Sequence, residues 1–247
     1  LRELNINDKA LFDRYFSMCN FKASEMTFTN LFMWRRFYGI RFFEAEGFLC
    51  VVAVPETGAP FAFMPAGRAD DDSFGRVFRL LYEFFAENGW KLEFRRVEED
   101  YLPFFKRIEG FDMRVVYDRD NSDYVYSTED LIHLKGKKYH GKRNHINKFK
   151  KTYEFEYVVL TEELIEDCKR IVTVWCENRV CDCLRGDNCE KHANMELLEN
   201  FGALGCSGAL IKVNGSFEAF TVGEMLNRDT AVIHIEKANT AIDGLYT

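Results

Sequence analysis

Several features are scarce or absent in the 247-residue chain: there is no excess of positive charge, no Pro-rich or Gly/Ser-rich linker, and only four prolines. The longest wholly apolar run is residues 48–54. That is far short of the roughly 20 residues that span a bilayer, so no integral membrane contact is expected. No charged-then-apolar leader opens the sequence, although it begins at Leu1 and so leaves the true N-terminus open. With 33 basic against 40 acidic residues the net charge is −7, so nucleic acid or an anionic surface can be engaged only through a local patch. Eight cysteines without a leader point to free thiols and a reducing compartment, which makes the cytoplasm the default location. What is present is ordinary: 47% apolar and 30% charged residues describe a globule with a sizeable core, not a disordered, fibrous or disulfide-stapled chain.

Composition shifts partway along. Nineteen of the 24 phenylalanines fall in residues 1–120, and six of the eight cysteines fall after them. Two cores of different stock predict two domains, 1–120 and 121–247, joined near the polar stretch 118–123. In the first, Asn7 is a candidate N-cap for a helix to Met18, and Ser24 with Thr27 opens a helix over 28–38. Strands are predicted at 40–43, 48–54 and 60–64, a helix from Asp72 or Ser73 to Asn88-Gly89, then strand 91–97, helix 102–108 and strand 113–117. The second half reads strand 124–126, helix 137–153, strand 155–160, helices 162–178 and 194–201, and strands 209–213, 217–226 and 231–237. A further helix is predicted to start at Ile242, and a crossover strand is wanted after it, so the C-terminal domain is expected to be incomplete.

The strongest local signal is residues 135–151, with eight Lys/Arg, two His and no acid. Tyr139, Ile146, Phe149 and Tyr153 share one helical face, leaving Lys138, Lys142, His145 and Lys148 on others. Gly136 and Gly141 loosen the start, where backbone N–H groups favour an anion. This is either a phosphate-binding helix for tRNA or another polyanion, or a solvated amphipathic face. On the last strand, Val232, His234 and Glu236 alternate onto one side, and the neighbouring strand carries Glu224 behind Gly223. His234 or Glu236 on a central strand could act as general base for an amine, or the carboxylate and imidazole could be a satisfied structural pair. Cys176, Cys181, Cys183, Cys189 and His192 offer soft ligands, but their irregular spacing fits no common zinc pattern, so no metal is expected. Ser24-Glu25 reads locally as a helix cap, and Arg35-Arg36 as a surface pair. No Walker loop, Gly-x-Ser-x-Gly elbow or dinucleotide fingerprint is present.

Taken together, Ser24-Glu25 with Thr27-Phe28-Thr29-Asn30-Leu31 and Trp34-Arg35, the 135–149 block, Val222-Gly223-Glu224, and His234-Ile-Glu-Lys-Ala-Asn239 with Gly244-Leu245-Tyr246 resemble one bacterial family. It is the phosphatidylglycerol lysyltransferase C-terminal domain family, in its stand-alone branch. The resemblance covers nearly the whole chain. It implies an α/β (α+β) fold of two tandem N-acetyltransferase-like (GNAT) domains, mixed sheets flanked by helices. Relatives with a membrane region move an amino acid from aminoacyl-tRNA to a lipid head group, and Fem-type enzymes of the same fold pair move one to a peptidoglycan precursor. Without a membrane region, a lipid acceptor is not implied for this chain. The Arg/Gln-x-x-Gly-x-Gly/Ala loop of coenzyme-A users is missing, which tilts the donor from acyl-CoA towards aminoacyl-tRNA.

The resulting expectation is an acyl- or aminoacyltransferase acting on an amine or hydroxyl of a small-molecule or peptide acceptor. Glu236 or His234 is the base, with Glu224 beside them. Backbone N–H groups near Gly223 receive the oxyanion, and Lys138, Lys142, Arg143, His145 and Lys148 hold donor phosphates. The rivals are an acetyl-CoA-dependent N-acetyltransferase and a non-catalytic RNA- or nucleotide-binding module.

Overall fold

The computed structural model describes residues 1–68, 71–177 and 190–247. The chain forms two compact units, residues 1–123 with 225–230, and 124–224 with 231–247. It is a mixed α+β protein with two antiparallel sheets. No helix among the described residues is long and apolar enough to cross a membrane.

The first unit opens with Asn5, which caps a short 3-10 turn by a reciprocal pair with Asp8. The cap therefore lies two residues before the expected Asn7. Helix α1 (Lys9–Phe16) follows and buries Phe12 and Tyr15. Thr27 caps α2 (Phe28–Met33) by accepting Asn30 N–H at 3.1 Å. The predicted 28–38 helix breaks at Trp34, and α3 (Arg35–Tyr38) ends on Gly39. There φ is +58°, and an added Cβ would sit 2.1 Å from Val54 O, so both torsion and space demand glycine.

The sheet runs β1 (Arg2–Glu3), β2 (Ile40–Ala45), β3 (Phe48–Ala53), β4 (Phe61–Ala62), with β5 (Ala66–Gly67) also on β3. Glu46 and Gly47 both take positive φ, which suits the tight β2–β3 turn to the right-handed strand twist. Helix α4 (Asp71–Glu87) lays Phe74, Val77, Phe78, Leu81 and Phe85 into the core, and α5 (Leu102–Lys106) adds Phe105. Edge-to-face phenylalanine pairs fill the interior, such as Phe12–Phe42 at 5.0 Å and Phe94–Phe105 at 4.9 Å.

Three predicted strands do not form. Residues 91–97 make only a bridge, Ala62 to Phe94, because Arg96 turns to φ +59° and ends the extension. Residues 113–117 and 124–126 form no strand among the described residues, with Val116 and Val125 66% and 82% exposed. Branched and aromatic side chains favour a pleated surface only where a partner strand supplies the hydrogen bonds.

The second unit begins with α6 (Thr128–His133), absent from the sequence expectations; Ser127 caps it. A 3-10 turn, Lys137–Tyr139, leads into α7 (His140–Thr152), then β6 (Phe155–Val159). Helices α8 (Ile165–Glu177), α9 (Glu190–Glu199) and α10 (Phe201–Leu204) precede β7 (Ser207–Val213), β8 (Ser216–Met225) and β9 (Ala231–Ala238). The order is β6-β7-β8-β9, so β9 ends the described sheet and is not the central strand expected. Asn214 and Gly215, both at positive φ, make the β7–β8 turn. The core is aliphatic: Val172, Leu197, Leu198, Leu210 and Val222 are buried.

Candidate active site

Strands β8 and β9 bring Glu224 and His234 together. His234 Nε2 lies 2.9 Å from Glu224 Oε1. The imidazole is fully enclosed, while the Glu224 side chain is 14% exposed. His234 Nδ1 is buried with no partner among the described residues. Glu236 is exposed, so the His234 and Glu236 side chains stand in different surroundings although strand alternation sets them on one side.

Gly223 lets β9 come close. A Cβ there would lie 2.3 Å from Val232 O and 3.1 Å from Ile233 Cδ1. The close approach expected of this glycine is a packing fact that seats Glu224 beside His234. Further along β9, Lys237 is buried, its ammonium 3.9 Å from the Trp175 ring centre and paired with Glu190.

The basic helix α7 lies mostly in solvent, with Phe149 its buried anchor and Ile146 half-buried. Several cations on this helix and on the 3-10 turn before it have local duties. Arg143 Nη1 donates to the carbonyls of Leu134 and Gly136, the second at 2.9 Å, and so fastens the loop before the helix. Lys138 pairs with Asp130 at 2.8 Å, and Lys148 with Asp243. His145 Nδ1 is 4.0 Å from Asp243 Oδ1. The hydrogen bond to Lys138 holds Asp130 below the usual carboxylate range, and Lys148 does the same to Asp243. Such fully exposed pairs are screened by solvent and contribute little, so Lys138 and Lys148 can exchange a carboxylate for a phosphate at little cost. Lys142, Lys150 and Lys151 are exposed on the same helix.

In the first unit the Ser24-Glu25 segment is more than a cap. Glu25 pairs with Arg96 at 3.0 Å, with side-chain exposures of 16% and 15%. Burial nevertheless lifts the Glu25 carboxyl above its ordinary range, outweighing the guanidinium. Asp123 accepts the Ser24 N–H and hydroxyl at 2.8 Å each, and Glu98 Oε1 accepts the N–H groups of Lys22 and Ala23. Sequence reasoning misses Arg96, Glu98 and Asp123, since each reaches this segment from far along the chain.

Among the described residues no group of His, Cys, Asp and Glu is arranged to hold a metal. Cys181, Cys183 and Cys189 lie outside the described residues.

The family model for "Phosphatidylglycerol lysyltransferase, C-terminal" matches residues 16–247. The chain belongs to this family. No curated protein matches it. A conserved protein of unknown function from Bacteroides thetaiotaomicron is 32% identical, with TM-score 0.90 over 99% of this chain and 82% of that one. The C-terminal domain of a protein described as a candidate lysylphosphatidylglycerol synthetase from Agrobacterium fabrum is 11% identical. It superposes with TM-score 0.58 over 96% of this chain and 70% of that one, a likeness of fold alone. Family membership supports a transferase of the aminoacyl type in general. All the family-like motifs, from Ser24 to Tyr246, lie inside the matched span.

Proposed function

We propose that the chain is an aminoacyltransferase built of two GNAT-like domains. It takes an aminoacyl group from aminoacyl-tRNA and passes it to an amine or hydroxyl acceptor in the cytoplasm. The family match carries the transfer class. The 2.9 Å contact between Glu224 and enclosed His234 supports the chemistry. The acceptor nitrogen or oxygen attacks the ester carbonyl, and its proton passes to a carboxylate. The tetrahedral intermediate then expels the ribose hydroxyl, which recovers a proton as the C–O bond breaks. Of the three expected acid–base residues, Glu224 best suits the base: partly exposed towards substrate, with His234 behind it as the positioning group. Glu236, exposed on β9, is the alternative base. Backbone N–H groups near Gly223 are the candidate oxyanion donors, and exposed α7 cations contact donor phosphates.

The test is transfer from radiolabelled aminoacyl-tRNA to an acceptor mixture. Glu224→Gln keeps shape but cannot take a proton, so turnover is expected to fall ~10²–10⁴-fold with donor binding retained. A variant with parental turnover would return the pair to a structural role. Consumption of acetyl-CoA, with aminoacyl-tRNA untouched, would replace the donor.

A further inference from the structure

A cleft of about 220 Å³ opens in the second unit among α8, β8 and the end of β9. Arg170, Ile171, Val174 and Trp175 line one side, Glu218 and Asn239 the other. Glu218 stands six residues before Glu224 on one extended strand, roughly 20 Å away. The cleft is therefore separate from the Glu224–His234 pair.

Its two charges are held in place. Arg170 Nη2 donates to Phe217 O at 3.0 Å and to Asp167 Oδ1 at 3.3 Å. Both contacts use one nitrogen, which leaves the N–H groups of Nη1 and Nε as single donors to an anion. Asn239 Nδ2 donates to Glu218 Oε2 at 2.8 Å. Asn239 is itself fixed, because its Oδ1 accepts Ala241 N–H at 3.0 Å and its own N–H reaches Glu218 O at 2.8 Å. A guanidinium and a carboxylate, each oriented by neighbours, thus border one small space with an apolar wall.

Size narrows the occupant. A cavity of about 150 Å³ takes benzene, or about 25 Å³ per non-hydrogen atom, so this cleft holds roughly nine such atoms. That is a single amino acid of medium size. We infer that this cleft binds a free α-amino acid as a zwitterion. Its carboxylate meets Arg170, its ammonium meets Glu218, and a branched aliphatic side chain lies on Ile171, Val174 and Trp175. A guanidinium N–H suits the carboxylate as a charge-assisted donor. An aminoacyl ester lacks that carboxylate, so this site serves a different molecule from the transfer donor and does not rest on the proposed transfer.

The experiment is calorimetric titration of the full chain with L-leucine, glycine, L-tryptophan, L-leucinamide and N-acetyl-L-leucine. Leucine is expected to bind saturably, glycine weakly, and tryptophan, the amide and the acetylated form at least tenfold more weakly than leucine. Arg170→Gln and Glu218→Gln should each weaken leucine binding about tenfold or more, as removal of one charged partner requires. Glu224→Gln should bind leucine as the parent does, so failure of the transfer reading leaves this result standing. Should Arg170→Gln not fold, the ligand series on the parent protein still decides. No saturable leucine binding, or equal binding of leucine and leucinamide, overturns the inference.

Discussion

The two units solve the same packing problem with different materials. The first fills its interior with phenylalanine rings, which meet edge to face around Phe12, Phe42 and Phe94. The second packs Val172, Leu197, Leu210 and Val222, and its aromatic pairs gather at Phe149 with Tyr153 and Phe155. Their enclosed polar groups differ in kind as well. In the first, Glu25 and Glu98 hold a guanidinium and backbone N–H groups, and with exposed Asp123 they pin the 22–25 segment, although Glu98 Oε2 is buried without a partner among the described residues. In the second, His234 Nδ1 is buried without a partner among the described residues. A carboxylate already engaged through its other oxygen fixes backbone. An imidazole held on one side only can still give or take a proton on the other. The first arrangement serves rigidity, and the second suits chemistry.

Three measurements put this contrast at risk. The largest effect should appear in thiol labelling. Cys50 in the first unit and Cys168 in the second are buried, and burial pushes both thiols up to about 12. Only thiolate reacts, so at about pH 8 both should label ~10³-fold slower than a free cysteine. Any gap between them reads which unit opens more readily; rapid labelling of either in folded protein would contradict its enclosure. Next comes core truncation. Phe12→Ala should cost about 3–5 kcal/mol and Leu210→Ala about 2–5 kcal/mol, since both side chains are fully buried and each truncation leaves a cavity. Denaturation in urea checks both, and a smaller cost for Phe12→Ala than for Leu210→Ala would reverse the ordering. The smallest effect should follow replacement of Lys138, Lys142 and Lys148 together by alanine. Stability should barely change, because Phe149 is untouched and the ion pairs removed are exposed. Polyanion binding should weaken, with the log–log salt slope flatter by ~0.7–0.9 for each phosphate no longer neutralised. An unchanged slope would make α7 a solvated face.

Much of the second unit is legible in the sequence because its signals are local. Helix α7 shows 3.6-residue spacing, and Asn214-Gly215 names a tight turn between alternating strands. The Glu224–His234 contact is half visible there: alternation puts both near Gly223, but only strand register decides that Glu224, and not Glu236, faces the imidazole. From sequence the phosphate set reads as five equivalent cations, whereas Arg143 turns back on its own loop. In the first unit, residues 113–117 have strand composition but no partner strand among the described residues, which no local pattern reveals. Glu25 looks like a helix cap because its partner, Arg96, is remote in sequence and sits at a backbone angle that only the folded neighbourhood enforces. Residues that touch across long sequence distances carry no periodic mark. The Arg170–Glu218 cleft is hidden for the same reason.

Neither Gly208 nor Gly223 sits at positive φ, so any L-residue could adopt either backbone angle. Space forbids it: a methyl at Gly208 would lie 2.5 Å from Thr221 O, and one at Gly223 would lie 2.3 Å from Val232 O. In a saturation screen both positions should therefore reject even alanine, while a torsion-based score marks them as replaceable. Homologues that diverge at the surface should keep the two glycines together, because they set the strand spacing on either side of β8.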